Sequence, residues 1–253
     1  PAFRVGQPDW HGRGSRNLLA NLTILRGGRG NRSALIVSSS PAFTNAMPQL
    51  YTSLRIQNVH FVKVRGNSAY AVMPIYDSRV MFDQIIIRDC RDSGAAGLIL
   101  ASRSYVTVAR SEFRSNNTTT ARGGIFRIGD GVLNVRNSVF VNNDGGGLWY
   151  QENASGSVYF SSFGGNRYYN VVAAQEAAGP IVLTNNLFYE TMGAFGSVYL
   201  FNDGDLVREF MLYNNLFYET SGRVLDGRNQ SSTTATLNTR SFASENVSGN
   251  PEI

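Results

Sequence analysis

Asn185-Asn186-Leu187-Phe188-Tyr189-Glu190-Thr191 recurs letter for letter as Asn214-Asn215-Leu216-Phe217-Tyr218-Glu219-Thr220. A looser form surrounds both copies: apolar, any, apolar, any, polar, any, any, then an aromatic residue or Ile. It reads Leu54-x-Ile56-x-Asn58-x-x-Phe61, Val80-x-Phe82-x-Gln84-x-x-Ile87, Val106-x-Val108-x-Arg110-x-x-Phe113 and Leu133-x-Val135-x-Asn137-x-x-Phe140. The two Asn-Asn copies continue the series, and weaker ones end at Ile24, Phe163 and Phe242. The anchors at 24, 61, 87, 113, 140, 163, 188, 217 and 242 are spaced 37, then 26, 26, 27, 23, 25, 29 and 25 residues.

Each unit carries a second short apolar run past its anchor, among them Leu98–Leu100, Ile125–Ile128, Leu148–Tyr150, Val171–Ala174 and Val198–Phe201. Units of about 25 residues built from period-2 strands cannot bury a face alone, but they can when stacked. A propeller blade needs about 40–50 residues, and the helical segment of a leucine-rich repeat is missing. The spacing therefore predicts an all-β parallel β-helix of about nine coils. At about 4.8 Å per coil the rod is roughly 40 Å long. Asn58, Asn137, Asn185 and Asn214 are expected at an inward-turned bend, in left-handed geometry, with amides stacked from coil to coil.

Residues 1–16 read as an irregular N-terminal arm and 17–253 as one β-helix domain. A protruding loop is expected over 38–50, where Pro41 and Pro48 bound the insertion. No lid is evident at either end. A β-helix end exposes an open backbone ladder, so other protein segments or subunits are the expected partners there. The chain opens at Pro1 without Met or a charged-then-apolar leader, which reads as a mature product or a piece of a longer protein.

The 253 residues include 26 Gly, 24 Asn and 25 Ser, residues that build turns, and only 16% are charged. No stretch approaches the roughly 18 apolar residues of a spanning helix, so no membrane insertion is expected. The net charge of +5 is modest, and no Lys/Arg-rich run argues for nucleic acid. Cys90 is the single cysteine, which excludes an internal disulfide and a thiolate cluster; it is expected to be a small buried residue.

Phe113-Arg114-Ser115-Asn116, Phe140-Val141-Asn142-Asn143 and Phe163-Gly164-Gly165-Asn166 resemble the Phe-x-x-Asn repeats of polymorphic outer-membrane-type β-helix proteins. Gly123-Gly124-Ile125 and Gly146-Gly147-Leu148 resemble their partner Gly-Gly-x-Ile repeats. More broadly the chain is similar to the right-handed pectate-lyase-like superfamily. The resemblance implies a right-handed helix and an extracellular or cell-surface setting rich in carbohydrate. It does not fix an activity, because the same fold carries many functions.

Aligning the coils turns surface positions into columns. The residues flanking each anchor should face outward, which collects His60, Val62, Ile86, Arg88, Glu112 and Arg114, with Lys63 and Asp89 one step further on. His60 or Lys63 could act as a base while Arg88 and Arg114 neutralise a carboxylate. The simpler reading makes Lys63–Asp89 and Glu112–Arg114 neighbouring ion pairs, and it is preferred because no cluster of Asp residues or paired-Asp motif accompanies the patch. Asp77, Asp130, Glu152, Glu176, Asp203 and Asp226 form an acidic column. Asp203 and Asp205 are its candidate Ca²⁺ ligands, but solvated turns are the preferred reading of the column and no metal is expected. No cofactor is expected. Tyr189 and Tyr218 could stack on sugars or a protein surface. Sequons at Asn21, Asn31, Asn116, Asn117, Asn153, Asn229 and Asn246 are glycosylation candidates. The function expected from this pattern is a non-catalytic adhesion or structural module, with a polysaccharide lyase or glycoside hydrolase as the alternative.

Overall fold

The computed structural model describes residues 3–5, 16–25, 35–38, 52–66, 71–93, 97–118, 124–174, 180–190, 197–201, 210–218, 224–227, 230–241 and 243–249. They form a parallel β-solenoid. The first wall is a ten-stranded sheet that runs from Phe3–Val5 through Leu35–Ser38, Met73–Tyr76, Ile99–Ser102, Gly124–Gly129, Gly146–Gln151, Val171–Ala174 and Val198–Phe201 to Leu225–Gly227. The second wall stacks Thr52–Val62, Ser78–Asp83, Tyr105–Ala109, Val132–Arg136, Ser155–Tyr159, Ile181–Thr184 and Phe210–Tyr213. The third takes the far half of Thr52–Val62 and then Ile86–Arg88, Glu112–Arg114, Val139–Val141, Ser162–Gly164, Leu187–Tyr189 and Leu216–Tyr218.

The expected anchors form the core of the third wall, from Phe61 beside Ile87 to Phe188 beside Phe217. All of them are buried. Phe113, Phe140, Phe163, Phe188 and Phe217 stack ring on ring, with centroids 4.6–5.3 Å apart. One strand spacing is about 4.8 Å, so the aromatic period matches the coil rise. From Arg16–Leu25 to Val247–Ser248 the described residues of the third wall stack as nine parallel strands. The weak last anchor, Phe242, lies outside the described residues, and Phe217 is paired with Ser248 instead.

Left-handed bends separate the walls. Asn58, Gln84, Arg110, Asn137, Phe160, Asn185, Asn214 and Glu245 occupy one bend column, with φ between 48° and 57°. The N–H of each bend residue carries the ladder around the corner, as when Gln84 donates to the Ala109 carbonyl and Arg110 to that of Arg136. The left-handed geometry expected at Asn58, Asn137, Asn185 and Asn214 is present, but the inward direction is not. Asn58, Asn137 and Asn214 are exposed and Asn185 is half-buried. The buried column lies one residue later. Ser111, Ser138, Ser161, Asn186, Asn215 and Asn246 each accept the backbone N–H of the coil before, and Asn238 closes the series by accepting from Asn246. A second buried ladder of Asn116, Asn143, Asn166 and Asn170 follows the third wall. These bonds satisfy amides that no strand partner reaches.

Two expectations about the ends are corrected. Phe3–Val5, within the supposedly irregular arm, pairs in register with Leu35–Val37. At the other end Gln230–Ser232 runs antiparallel against Leu225–Gly227, and a helical turn at Thr234–Leu237 buries Leu237 in the core. Thr233 caps that turn. The C-terminal end thus has a lid cut from its own chain. The loop expected over 38–50 lies outside the described residues apart from Ser38.

Candidate functional site

The candidate patch sits on the outer face of the third wall. In register, His60 lies beside Ile86 and Ile86 beside Glu112. His60 and Glu112 are therefore two strand spacings apart, about 10 Å, with an aliphatic side chain between them. His60 and Glu112 are half-buried, and Arg88 and Arg114 are exposed. Val62, expected to face outward with them, is buried. Lys63 and Asp89 are exposed bend residues, with φ 55° and 56°. Of the two expected ion pairs, Glu112–Arg114 is present at 3.0 Å. Asp89 instead meets its chain neighbour Arg88 at 3.6 Å, because the bend turns its carboxylate back along its own coil.

The best-built ionic group was not among the candidates. Asp83, at the end of a second-wall strand, is fully buried between Arg55 of the coil before and Arg110 at the bend of the coil after. Arg55 reaches Oδ2 at 2.8 Å, and Arg110 holds both oxygens at 2.8 Å. Burial works against the charge. The hydrogen bonds and positive charges of Arg110 and Arg55 outweigh it and hold the carboxyl below the ordinary aspartate range. The partners are 27 and 28 residues away in sequence, so only the coil alignment could have shown them.

In the acidic column, Asp77, Asp130 and Glu152 are left-handed bend residues. Asp77 takes a two-pronged bond from Arg103 at 2.7 and 3.0 Å, and Asp130 accepts from Asn153 at 3.0 Å. Glu176, Asp203 and Asp205 lie outside the described residues. Among the described residues no three His, Cys, Asp or Glu gather as a metal-ligand set.

Tyr189 and Tyr218 are lateral neighbours on the third wall, both half-buried. The ring of Tyr189 lies over Gly164, where a Cβ would come within 2.1 Å of it. Burial, then the nearby Glu190 carboxylate, raises its phenol pKa. Cys90 is buried as expected, and burial pushes its thiol up to about 12.

The sequons divide sharply. Asn116 and Asn246 are ladder residues, 1% and 2% exposed, and each donates its side-chain nitrogen inside the core. A glycan needs that nitrogen, so both are excluded. The Asn117 nitrogen is engaged with Asp144 at 2.8 Å. Asn21 and Asn153 are exposed, and Asn31 and Asn229 lie outside the described residues.

A family model described as "right handed beta helix region" matches residues 49–239, so the chain belongs to the right-handed β-helix family. No curated protein matches the sequence. Among solved structures, one described as a plasmid-mediated fluoroquinolone resistance protein covers 78% of this chain and 92% of its own. Its identity is 10% and its TM-score 0.16, a likeness too weak to carry an argument. No helix among the described residues is long and apolar enough to cross a membrane.

Proposed function

We propose that this right-handed β-helix is a non-catalytic adhesion or structural module displayed outside the cell, within a larger protein or assembly. One observation carries the reading: charged groups on the outer walls are tied to each other within and between coils. Asp83 is clasped by Arg55 and Arg110, Glu112 by Arg114, and Asp77 by Arg103. Such a surface is a rigid, prearranged array, whereas acid–base chemistry needs a proton donor and acceptor within reach of the same bond. His60 and Glu112 stand about 10 Å apart across Ile86. The resemblance to pectate-lyase-like and outer-membrane-type repeats supports the extracellular setting, and Asn21 and Asn153 are the exposed sequons in it. Other polypeptide at the N-terminal coil and carbohydrate along the walls are the partners this reading assigns. Incubation with a panel of acidic and neutral polysaccharides should give no product. Release of unsaturated ends or reducing sugars at enzymatic rates would overturn the reading.

One observation favours the enzyme alternative: Lys63, Arg65, Arg88, Arg91 and Arg114 are all exposed on three successive coils, beside His60. A lyase acting on an acidic polysaccharide would use these cations to neutralise the polymer and His60 or Lys63 as base. Activity surviving in both His60→Ala and Lys63→Ala would remove that assignment.

A further inference from the structure

The charge of this chain is not spread evenly. Residues 1–136 contain 18 basic and seven acidic residues, whereas 137–253 contain five basic and 11 acidic, so the two parts carry net charges of +11 and −6. In a solenoid the order of coils is the order along the axis, and the described residues keep the division, with 13 basic and six acidic residues up to 136 against two basic and five acidic beyond it. The third wall shows it in miniature. One column beside the anchors continues from the buried Val62 as Arg88, Arg114, Val141, Gly164, Tyr189, Tyr218 in strict register. The neighbouring bend column reads Lys63, Asp89, Ser115, Asn142, Gly165, Glu190. The parallel column on the other side of the anchors is mostly apolar after Glu112, with Val139, Ser162, Leu187, Leu216 and Val247. Val139 and Val247 are exposed. One flat wall therefore runs from cationic coils through small and aliphatic residues to coils carrying tyrosines and a glutamate.

A two-fold contact uses one surface twice, so it closes only if that surface complements itself about its midpoint. We propose that the third wall pairs face to face with the same wall of a second copy, the two rods antiparallel. The two-fold axis lies between Glu112–Arg114 and Val139–Val141. That placement sets Lys63 of each copy against Glu190 of the other, and His60 against Leu187. Arg114 then faces Val141, and Arg88 faces the Tyr189 ring that covers Gly164. Parallel packing of the same walls would instead set the cationic coils against each other and the Glu190 coils against each other. The six paired coils extend about 29 Å along the axis at 4.8 Å per coil. This is a narrow interface at the low end of the protein–protein range, so the dimer is weak and salt-sensitive. The proposal stands independently of the adhesion reading, since it concerns only how the chain meets itself.

Sedimentation equilibrium of the chain from micromolar to about millimolar concentration, at low and high salt, provides the test. A monomer–dimer equilibrium that weakens with salt is expected. Glu190→Lys and Lys63→Glu should each raise the dissociation constant about tenfold or more, since each dimer holds two such pairs. The double variant should return close to the parent value, because the pair is only exchanged. Circular dichroism of each variant verifies that the coil stack is intact. A chain that stays monomeric throughout, a dimer indifferent to both reversals, or a double variant no better than the singles would each overturn the proposal.

Discussion

Replacing Asn143 by Ala tests whether the buried amide ladder holds the coils together. Its Oδ1 accepts the backbone N–H of Asn116 at 3.1 Å and the Asn116 side chain at 3.0 Å. Its Nδ2 donates to the Phe113 carbonyl at 3.1 Å and to Asn166 at 2.9 Å. After truncation the Asn116 side chain keeps its bond to the Ile87 carbonyl, and Asn166 Oδ1 keeps the Asn143 backbone N–H. The Asn116 N–H and the Phe113 carbonyl each lose the partner Asn143 supplied. A buried amide left without a partner costs about 1–3 kcal/mol, and each further lost bond about 1 kcal/mol. The expected total is about 3–5 kcal/mol, visible as a fall of roughly 1–2 M in the urea midpoint followed by circular dichroism. The control is Asn142→Ala, one residue earlier, exposed, with φ 53°. It loses only the tolerance of Asn for left-handed geometry, about 1 kcal/mol. Equal shifts for the two variants would refute the ladder as the source of stability.

Three further outcomes follow from particular contacts. Gly146→Ala places a Cβ 2.0 Å from the Tyr169 ring, whose centroid lies 5.6 Å from that of Trp149; in a Trp10→Phe background its emission should shift to the red and the midpoint should fall, whereas an unchanged spectrum would show the ring is not confined. Because the folded-state pKa of Asp83 is below its ordinary value of 3.8, its contribution is present above that pH and is lost as pH falls through the lower folded value; Asp83→Asn should flatten the acid limb of the stability–pH curve, and an unaltered limb would count against the clasp. Cys90, with its thiol raised to about 12 by burial, should resist a thiol reagent at pH 8 until denaturant is added; fast labelling of the folded chain would contradict its placement.

Much of the architecture was readable because the aromatic anchors repeat at the coil period and nothing else in the chain competes with that signal. Phe113, Phe140, Phe163, Phe188 and Phe217 stack where the spacing placed them. The Asn column was misread by one position for a physical reason. In each Asn-Asn pair the first residue bends the chain and the second enters the core, and composition alone does not order them. Upstream the core position is filled by Ser111, Ser138 and Ser161, which accept the same backbone N–H and so hide the column behind a change of residue type. The outer patch was only half legible. Strand register put His60, Ile86 and Glu112 side by side as the columns required, but whether Asp89 turns to Lys63 or Arg88 depends on a bend dihedral that no spacing encodes.

The direction of the ladder bears on how such a chain is made. From Ile85 to Asn215, each of these buried backbone N–H groups is answered by a side chain on the coil that comes later in sequence, whereas the N–H of Asn246 is answered by Asn238, eight residues earlier. A nascent chain emerging from its N-terminus always has a growth front whose newest coil awaits its acceptor. Each arriving coil seals the one before it and exposes a fresh one. The front closes with Asn246, which meets the acceptor Asn238 already in place when it arrives, so the segment from Thr234 to Asn246 acts as a stop for vectorial folding as well as a lid.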